Sequence, residues 1–221
     1  GGRARRVSLD LFDAADCRTA IEIGPDALLL RGFASNTAPA LLDALGHILA
    51  QAPFRHMVTP GGFRMSVAMT NCGALGWVSD ETGYRYVPFD PQTGRAWPSL
   101  PAGFAQLARD AASQAGFDGF TPDACLINRY EPGTRLSLHQ DRNERDFTQP
   151  IVSVSLGVSA LFLFGGPRRA DKTRRVELHH GDIAVWGGRS RLHYHGVLPI
   201  KPGHHAMLGE QRLNLTFRKA G

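Results

Sequence analysis

The segment Arg212-Leu213-Asn214-Leu215-Thr216-Phe217-Arg218 alternates between apolar and polar side chains without a break. Successive residues of a strand point to opposite faces, so Leu213, Leu215 and Phe217 share one face and Arg212, Asn214, Thr216 and Arg218 the other. One reading is an edge strand with its polar face in water. The other is an interior strand whose guanidiniums need anions, because guanidinium stays charged and an unpaired buried charge is costly. A dicarboxylate would satisfy such a face.

Further short strand signals precede this one, at Cys125 to Tyr130, Leu136 to Gln140, Ile151 to Leu156, Ala160 to Phe164, Arg175 to His179, Ile183 to Trp186 and His193 to Gly196. Gly165-Gly166, His180-Gly181-Asp182 and Gly187-Gly188 punctuate them as turns, a pattern that fits a two-sheet jelly roll over residues 122–221. Upstream the period changes. Asn36 to Gln51 carries Leu41, Leu42, Leu45, Ile48 and Leu49 at helical spacing, with Ser35 or Asn36 as N-cap and Pro53 beyond its end. Pro101 to Ala115 repeats the pattern with Phe104, Leu107, Ala108 and Ala111, and Gly116 as its stop. The helices are expected to pack outside one sheet, which makes the class α+β. Between them lie Thr59-Pro60-Gly61-Gly62, a strand-like Ser66 to Thr70, and a Gly-, Pro- and aromatic-rich stretch reaching Trp97. Irregular segments of this kind often carry function.

The chain has 221 residues, enough for one domain with its own core, and 43% hydrophobic residues argue against global disorder. No run approaches the roughly 18 apolar residues of a membrane span, and no apolar signal core follows the N-terminal arginines. A soluble cytoplasmic protein with no membrane partner is expected, and nothing demands more than a monomer. Three cysteines, Cys17, Cys72 and Cys125, form no CxxC pair and read as reduced thiols. The net charge of +5 is compatible with a phosphate-bearing partner, although Arg3-Ala4-Arg5-Arg6 and Arg168-Arg169-Ala170-Asp171-Lys172-Thr173-Arg174-Arg175 read equally as a tail within residues 1–20 and a solvated loop.

His139-Gln140-Asp141 places an imidazole and a carboxylate two residues apart, on one face of a strand. A distant third ligand would complete a two-histidine, one-carboxylate triad that leaves positions open on non-haem Fe(II). His195 and His193, in His193-Tyr194-His195-Gly196, both qualify by spacing, whereas His179 and His180 sit beside a turn and read as structural. A hydrogen-bonded surface pair is the bland alternative for an isolated HxD.

Together these segments resemble the AlkB dioxygenases: Asn128-Arg129-Tyr130, Leu138-His139-Gln140-Asp141, Gly181-Asp182 with Trp186-Gly187-Gly188, Tyr194-His195-Gly196, and the RxNxTxR of Arg212 to Arg218. The likeness extends upstream through Met57-Val58-Thr59-Pro60-Gly61-Gly62, Met65 to Gly73 and Asp90-Pro91-Gln92-Thr93, and covers roughly residues 25 to 221. It implies a double-stranded β-helix (jelly-roll) core, a nucleotide-recognition lid at about 53–98, and Fe(II), 2-oxoglutarate and O2 as cofactor and cosubstrates. It selects His195 over His193, so that His139, Asp141 and His195 bind iron. It gives Arg212, with Asn214 and Tyr130, the distal carboxylate of 2-oxoglutarate, and Arg218 with Asn128 the chelating one; bidentate guanidinium contacts suit that anion.

The same resemblance implies demethylation of 1-methyladenine or 3-methylcytosine type bases in single-stranded DNA or RNA, with succinate, carbon dioxide and formaldehyde as products. The damaged base must leave its stack, and Trp77 is the matching platform for a cationic ring. Thr59, Tyr84 and Arg169 match positions that touch the nucleic-acid backbone, and Met65, Met69 and Ser137 would line the base pocket; Trp77 and the methionines read otherwise as packing. One departure stands out. The family pattern has an acidic residue two places after the iron-binding Asp, where this chain has Asn143, and Phe63 replaces a tyrosine. Alternatives are a 2-oxoglutarate oxygenase acting on tRNA or protein, and a catalytically silent nucleic-acid-binding jelly roll. A zinc hydrolase would leave the paired arginines without a purpose.

Overall fold

The alternating C-terminal segment is an interior strand: Arg212 is 1% and Arg218 6% exposed, so its polar face does not meet water. The computed structural model describes residues 19–221. The Arg3 to Arg6 run and Cys17 lie outside the described residues. In chain order the elements are β1 (Ala20–Gly24), β2 (Ala27–Leu30), α1 (Ala38–Gln51), β3 (Ala68–Gly73), β4 (Gly76–Asp80), β5 (Gly83–Val87), α2 (Ala102–Gln114), β6 (Ala124–Tyr130), β7 (Leu136–His139), β8 (Ile151–Gly157), β9 (Ala160–Phe164), β10 (Arg174–Leu178), β11 (Ile183–Trp186), β12 (His195–Val197) and β13 (Arg212–Arg218).

A seven-stranded sheet runs β1-β2-β11-β8-β13-β6-β3, facing a four-stranded sheet β10-β9-β12-β7, and β4 and β5 form a separate hairpin. This is the two-sheet jelly roll expected from the strand pattern. β13 pairs antiparallel with β6 and β8, so both of its backbone edges are satisfied. Leu213, Leu215 and Phe217 pack with Val152 and Val154 of β8 against Leu41, Leu45 and Ile48 of α1 and Phe104, Leu107 and Ala108 of α2. The helices therefore cover the outer face of the large sheet, as their apolar stripes require. The space between the sheets holds a second core around Phe162, Phe164 and Trp186.

Several expectations shift. The first helix starts at Ala38 with Thr37 as N-cap, not Ser35 or Asn36, because the chain turns at residues 34–37 and the Thr37 hydroxyl donates back to the Ala34 carbonyl. Gly116 ends the second helix at a φ of 90°. The N-terminal half contributes β1, β2 and β3 to the large sheet, of which only β3 was foreshadowed. The strand expected at His193 to Gly196 begins at His195. Cys72 and Cys125, far apart in sequence, face each other across β3 and β6 as free thiols. Among the described residues no helix is long and apolar enough to cross a membrane.

Candidate active site

His195 lies directly opposite His139 where β12 pairs with β7, and Asp141 follows just beyond the end of β7. The register brings together what the sequence keeps apart. His139 Nε2 is 3.6 Å from Asp141 Oδ1, His195 Nε2 is 3.6 Å from Asp141 Oδ2, and ligand atoms of all three lie within 4.8 Å of one another. The Nδ1 of His139 donates to the Ser137 carbonyl at 2.8 Å, and that of His195 to the His193 carbonyl at 3.0 Å. These bonds fix each ring's tautomer and leave the Nε2 lone pairs free for a metal. Burial, with His139 alongside, pushes His195 down to about 4, so it is neutral at pH 7. Burial alone would raise the Asp141 carboxyl; Arg218, helped by the two imidazoles, holds it well below the usual range instead. Two imidazoles and one carboxylate fit a divalent ion with open positions. His193 is buried but stands outside this cluster, its ring beside Phe164.

The triad opens into a cavity of about 610 Å³, which the polar face of β13 lines with Asn128 and Tyr130 of β6. Arg212 lies over the Tyr130 ring at 4.8 Å and donates from Nη2 to Ser155 Oγ, but its buried Nε and Nη1 have no partner. Burial lowers the Arg212 pKa, as expected for a cation lacking a counter-anion. The buried Asn128 Oδ1 is also unpaired. Two orphaned guanidinium N–H groups beside a metal-type triad fit a bound carboxylate, and hence 2-oxoglutarate. Asn214 is differently engaged: its amide donates to Ser153 and Val154 and accepts from Thr216.

Thr59, Met65, Met69, Trp77, Tyr84, Ser137, Asn143 and Arg169 all line the same cavity. Trp77 and Tyr84 stack at 5.5 Å, and the Trp77 indole donates to Asn143 Oδ1 at 3.2 Å. Arg169 donates to the Leu138 carbonyl and lies over the Tyr194 ring. The second basic run is thus partly cavity wall and partly loop, with Arg168 tied to Asp171. Phe63, by contrast, is 76% exposed.

Sequence reasoning missed Arg135 and Arg142, which also line the cavity. It missed the buried network of Tyr86, Glu144 and Arg191 as well. Glu144 Oε1 accepts from the Tyr86 hydroxyl at 2.5 Å, and its Oε2 accepts from Arg191 at 3.0 Å. The only available signal was a carboxylate three residues past Asp141.

The chain matches the 2OG-Fe(II) oxygenase superfamily over residues 26–218. It is 58% identical to the alpha-ketoglutarate-dependent dioxygenase AlkB of Salmonella typhimurium, over 96% of this chain and 98% of that protein. It is 37% identical over 130 residues to the mouse nucleic acid dioxygenase ALKBH1, covering 58% of this chain and 33% of that one. The solved structure of OsALKBH1 superposes with a TM-score of 0.79 at 29% identity, covering 91% of this chain and all of that one. The chain therefore belongs to the 2OG-Fe(II) oxygenase superfamily and, within it, to the AlkB dioxygenases.

Proposed function

We propose that this protein demethylates N-alkylated bases of the 1-methyladenine and 3-methylcytosine type in single-stranded DNA or RNA, working as a monomer in the cytoplasm. The observation that carries the reading is one cavity holding the His139, Asp141 and His195 ligand set beside the unpaired N–H groups of Arg212. Kinship with a nucleic acid dioxygenase supports the substrate class.

Fe(II) held by the triad would supply, with 2-oxoglutarate and O2, oxidation of the N-methyl carbon, yielding succinate, carbon dioxide, formaldehyde and the restored base. The chain's own part is ligation, placement and exclusion of water. His139 and His195 present their Nε2 atoms, and Asp141 a carboxylate kept ionised by Arg218. Arg212, backed by Tyr130 and with Asn214 two residues along the same strand face, orients the distal carboxylate, while Arg218 and Asn128 face the carboxylate nearer the metal. Residues 53–98 act as a lid over the core of residues 122–221. Within it Trp77 offers an indole face to a cationic base, Met65 and Met69 shape the pocket with Ser137, and Thr59, Tyr84 and Arg169 take the backbone.

The test is mass spectrometry of single strands carrying 1-methyladenine or 3-methylcytosine after aerobic incubation with protein, Fe(II), ascorbate and 2-oxoglutarate, with succinate assayed alongside and 2-oxoglutarate omitted as control. Methyl loss with matching succinate is expected. Succinate without methyl loss would overturn the substrate class, and neither product from folded, iron-loaded protein would overturn the enzyme reading.

A further inference from the structure

We propose that Tyr86 and Glu144 are positioning residues that link the Trp77 hairpin to the metal side of the cavity, so that base seating and placement of Asp141 and Arg218 are set by one buried network. The inference rests on the base-demethylation reading for its catalytic consequence, but the link itself stands on contacts.

The hairpin of β4 and β5 pairs with neither sheet of the jelly roll. Its base platform Trp77 is the direct cross-strand partner of Tyr86, so the two residues move as a unit. The Tyr86 hydroxyl donates to Glu144 Oε1 at 2.5 Å and accepts from Arg218 Nη1 at 3.4 Å. Arg218 in turn donates from Nη2 and Nε to Asp141 Oδ2 at 2.9 and 3.1 Å. Arg191 completes the frame. It donates from Nη2 to Glu144, from Nη1 to the Asp141 carbonyl at 2.7 Å and from Nε to the Gln149 carbonyl at 2.9 Å, which holds both ends of the segment between them. One hairpin hydroxyl therefore reaches the carboxylate ligand through a single guanidinium.

A stability role alone accounts poorly for this arrangement. Buried ion pairs repay little beyond their own desolvation and are better attested as devices that fix a particular geometry. Removing only the Tyr86 hydroxyl leaves the Glu144, Arg191 and Arg218 charges mutually paired, so Tyr86→Phe cuts the path to Arg218 without orphaning a charge and leaves the Trp77 to Asn143 bond in place. Any such coupling is reciprocal: what orders the metal side must order the hairpin.

The experiment is amide hydrogen exchange of wild type and Tyr86→Phe, each with and without Mn(II) plus 2-oxoglutarate, followed by turnover with Fe(II). In wild type, Mn(II) and 2-oxoglutarate should slow exchange across residues 76–87; in Tyr86→Phe that protection should shrink severalfold, with the Trp77 to Asn143 bond left as the remaining tie, while protection of β7 and β13 persists. Equal hairpin protection in both proteins would overturn the proposal. In turnover of a methylated single strand with ascorbate present, the succinate to formaldehyde ratio should rise severalfold over wild type, because 2-oxoglutarate is decarboxylated without a seated base and ascorbate, not the methyl group, supplies the two electrons that reduce the remaining oxygen atom to water; an unchanged ratio would also overturn it. Wild type that releases no formaldehyde would instead sink the demethylation reading, with the exchange arm still deciding the link. Should Tyr86→Phe fail to fold, Glu144→Gln, which keeps an acceptor for Tyr86 and for Arg191 but loses the charge that pairs with Arg191 and faces Arg218, should show a partial version of both changes; wild-type behaviour in it would overturn the proposal.

Discussion

Asn143 carries the sharpest chemical difference in the site. Its Oδ1 already accepts the Trp77 indole N–H, a bond that an aspartate would keep while adding a negative charge beside the Trp77 ring proposed to stack the base. Two unit charges about 4 Å apart in water interact by about 1 kcal/mol, or about fivefold in rate preference. Asn143→Asp should therefore raise kcat/KM for cationic 1-methyladenine about fivefold relative to a neutral methylated base, measured on paired oligonucleotides; unchanged selectivity would remove Asn143 from the determinants. At this scale legibility followed locality. Asp141 could be read beside His139 because two residues separate them, and the polar face of the last strand announced Arg212 and Arg218. His193 and His195 could not be told apart by period, since both fall on one face of the expected strand, and only the fold shows that the strand begins at His195. Tyr86, Glu144 and Arg191 were silent because their meaning lies in pairings across distant segments, which no local period encodes.

Among elements, those with a full period declared themselves. β13 alternates over seven residues and the two helices carry apolar stripes over several turns, so tertiary packing and local pattern agree. β2 reads Ala-Leu-Leu-Leu, too short and too uniformly apolar to separate strand from helix, and only its pairing with β1 and β11 makes it a strand. The turn between β10 and β11 carries a consequence that depends on acidity. Gly157 N–H donates to His180 Nδ1 at 3.0 Å, a bond that exists only while that nitrogen is unprotonated. Burial lowers the His180 pKa from 6.5, with the stacked His205 adding to the shift and Asp182 opposing it. The unfolded chain then binds this proton at higher pH than the folded one, so the contribution is intact above about 6.5 and is lost as pH falls below it. Urea midpoints should drop between pH 7.5 and 5.5, and less so in His180→Gln; equal drops in both proteins would show that other groups control the acid limb.

For the molecule as a whole, the +5 balance matters less than where the cations stand. Arg135, Arg142 and Arg169 line the cavity that a single strand would cross under the proposed function, whereas Arg168, next to Arg169 in the basic run, pairs with Asp171. Each phosphate neutralised on a single strand releases counterions and contributes about −0.7 to the slope of log affinity against log salt. With three such contacts the slope should be near −2, and Arg135→Ala, Arg142→Ala and Arg169→Ala should each make it shallower by about 0.7. Arg168→Ala should leave it unchanged. Fluorescence anisotropy of a labelled, methylated single strand, titrated with Mn(II)-loaded protein from low to physiological salt, reads these slopes directly. If all four variants keep the wild-type slope, the phosphates are met elsewhere and the cavity arginines serve the base or the cosubstrate instead. If Arg168→Ala alone flattens it, the strand runs over the loop preceding β10 and not across the cavity mouth. A graded loss confined to the three lining arginines would define the strand's path by charge alone, before any complex is seen.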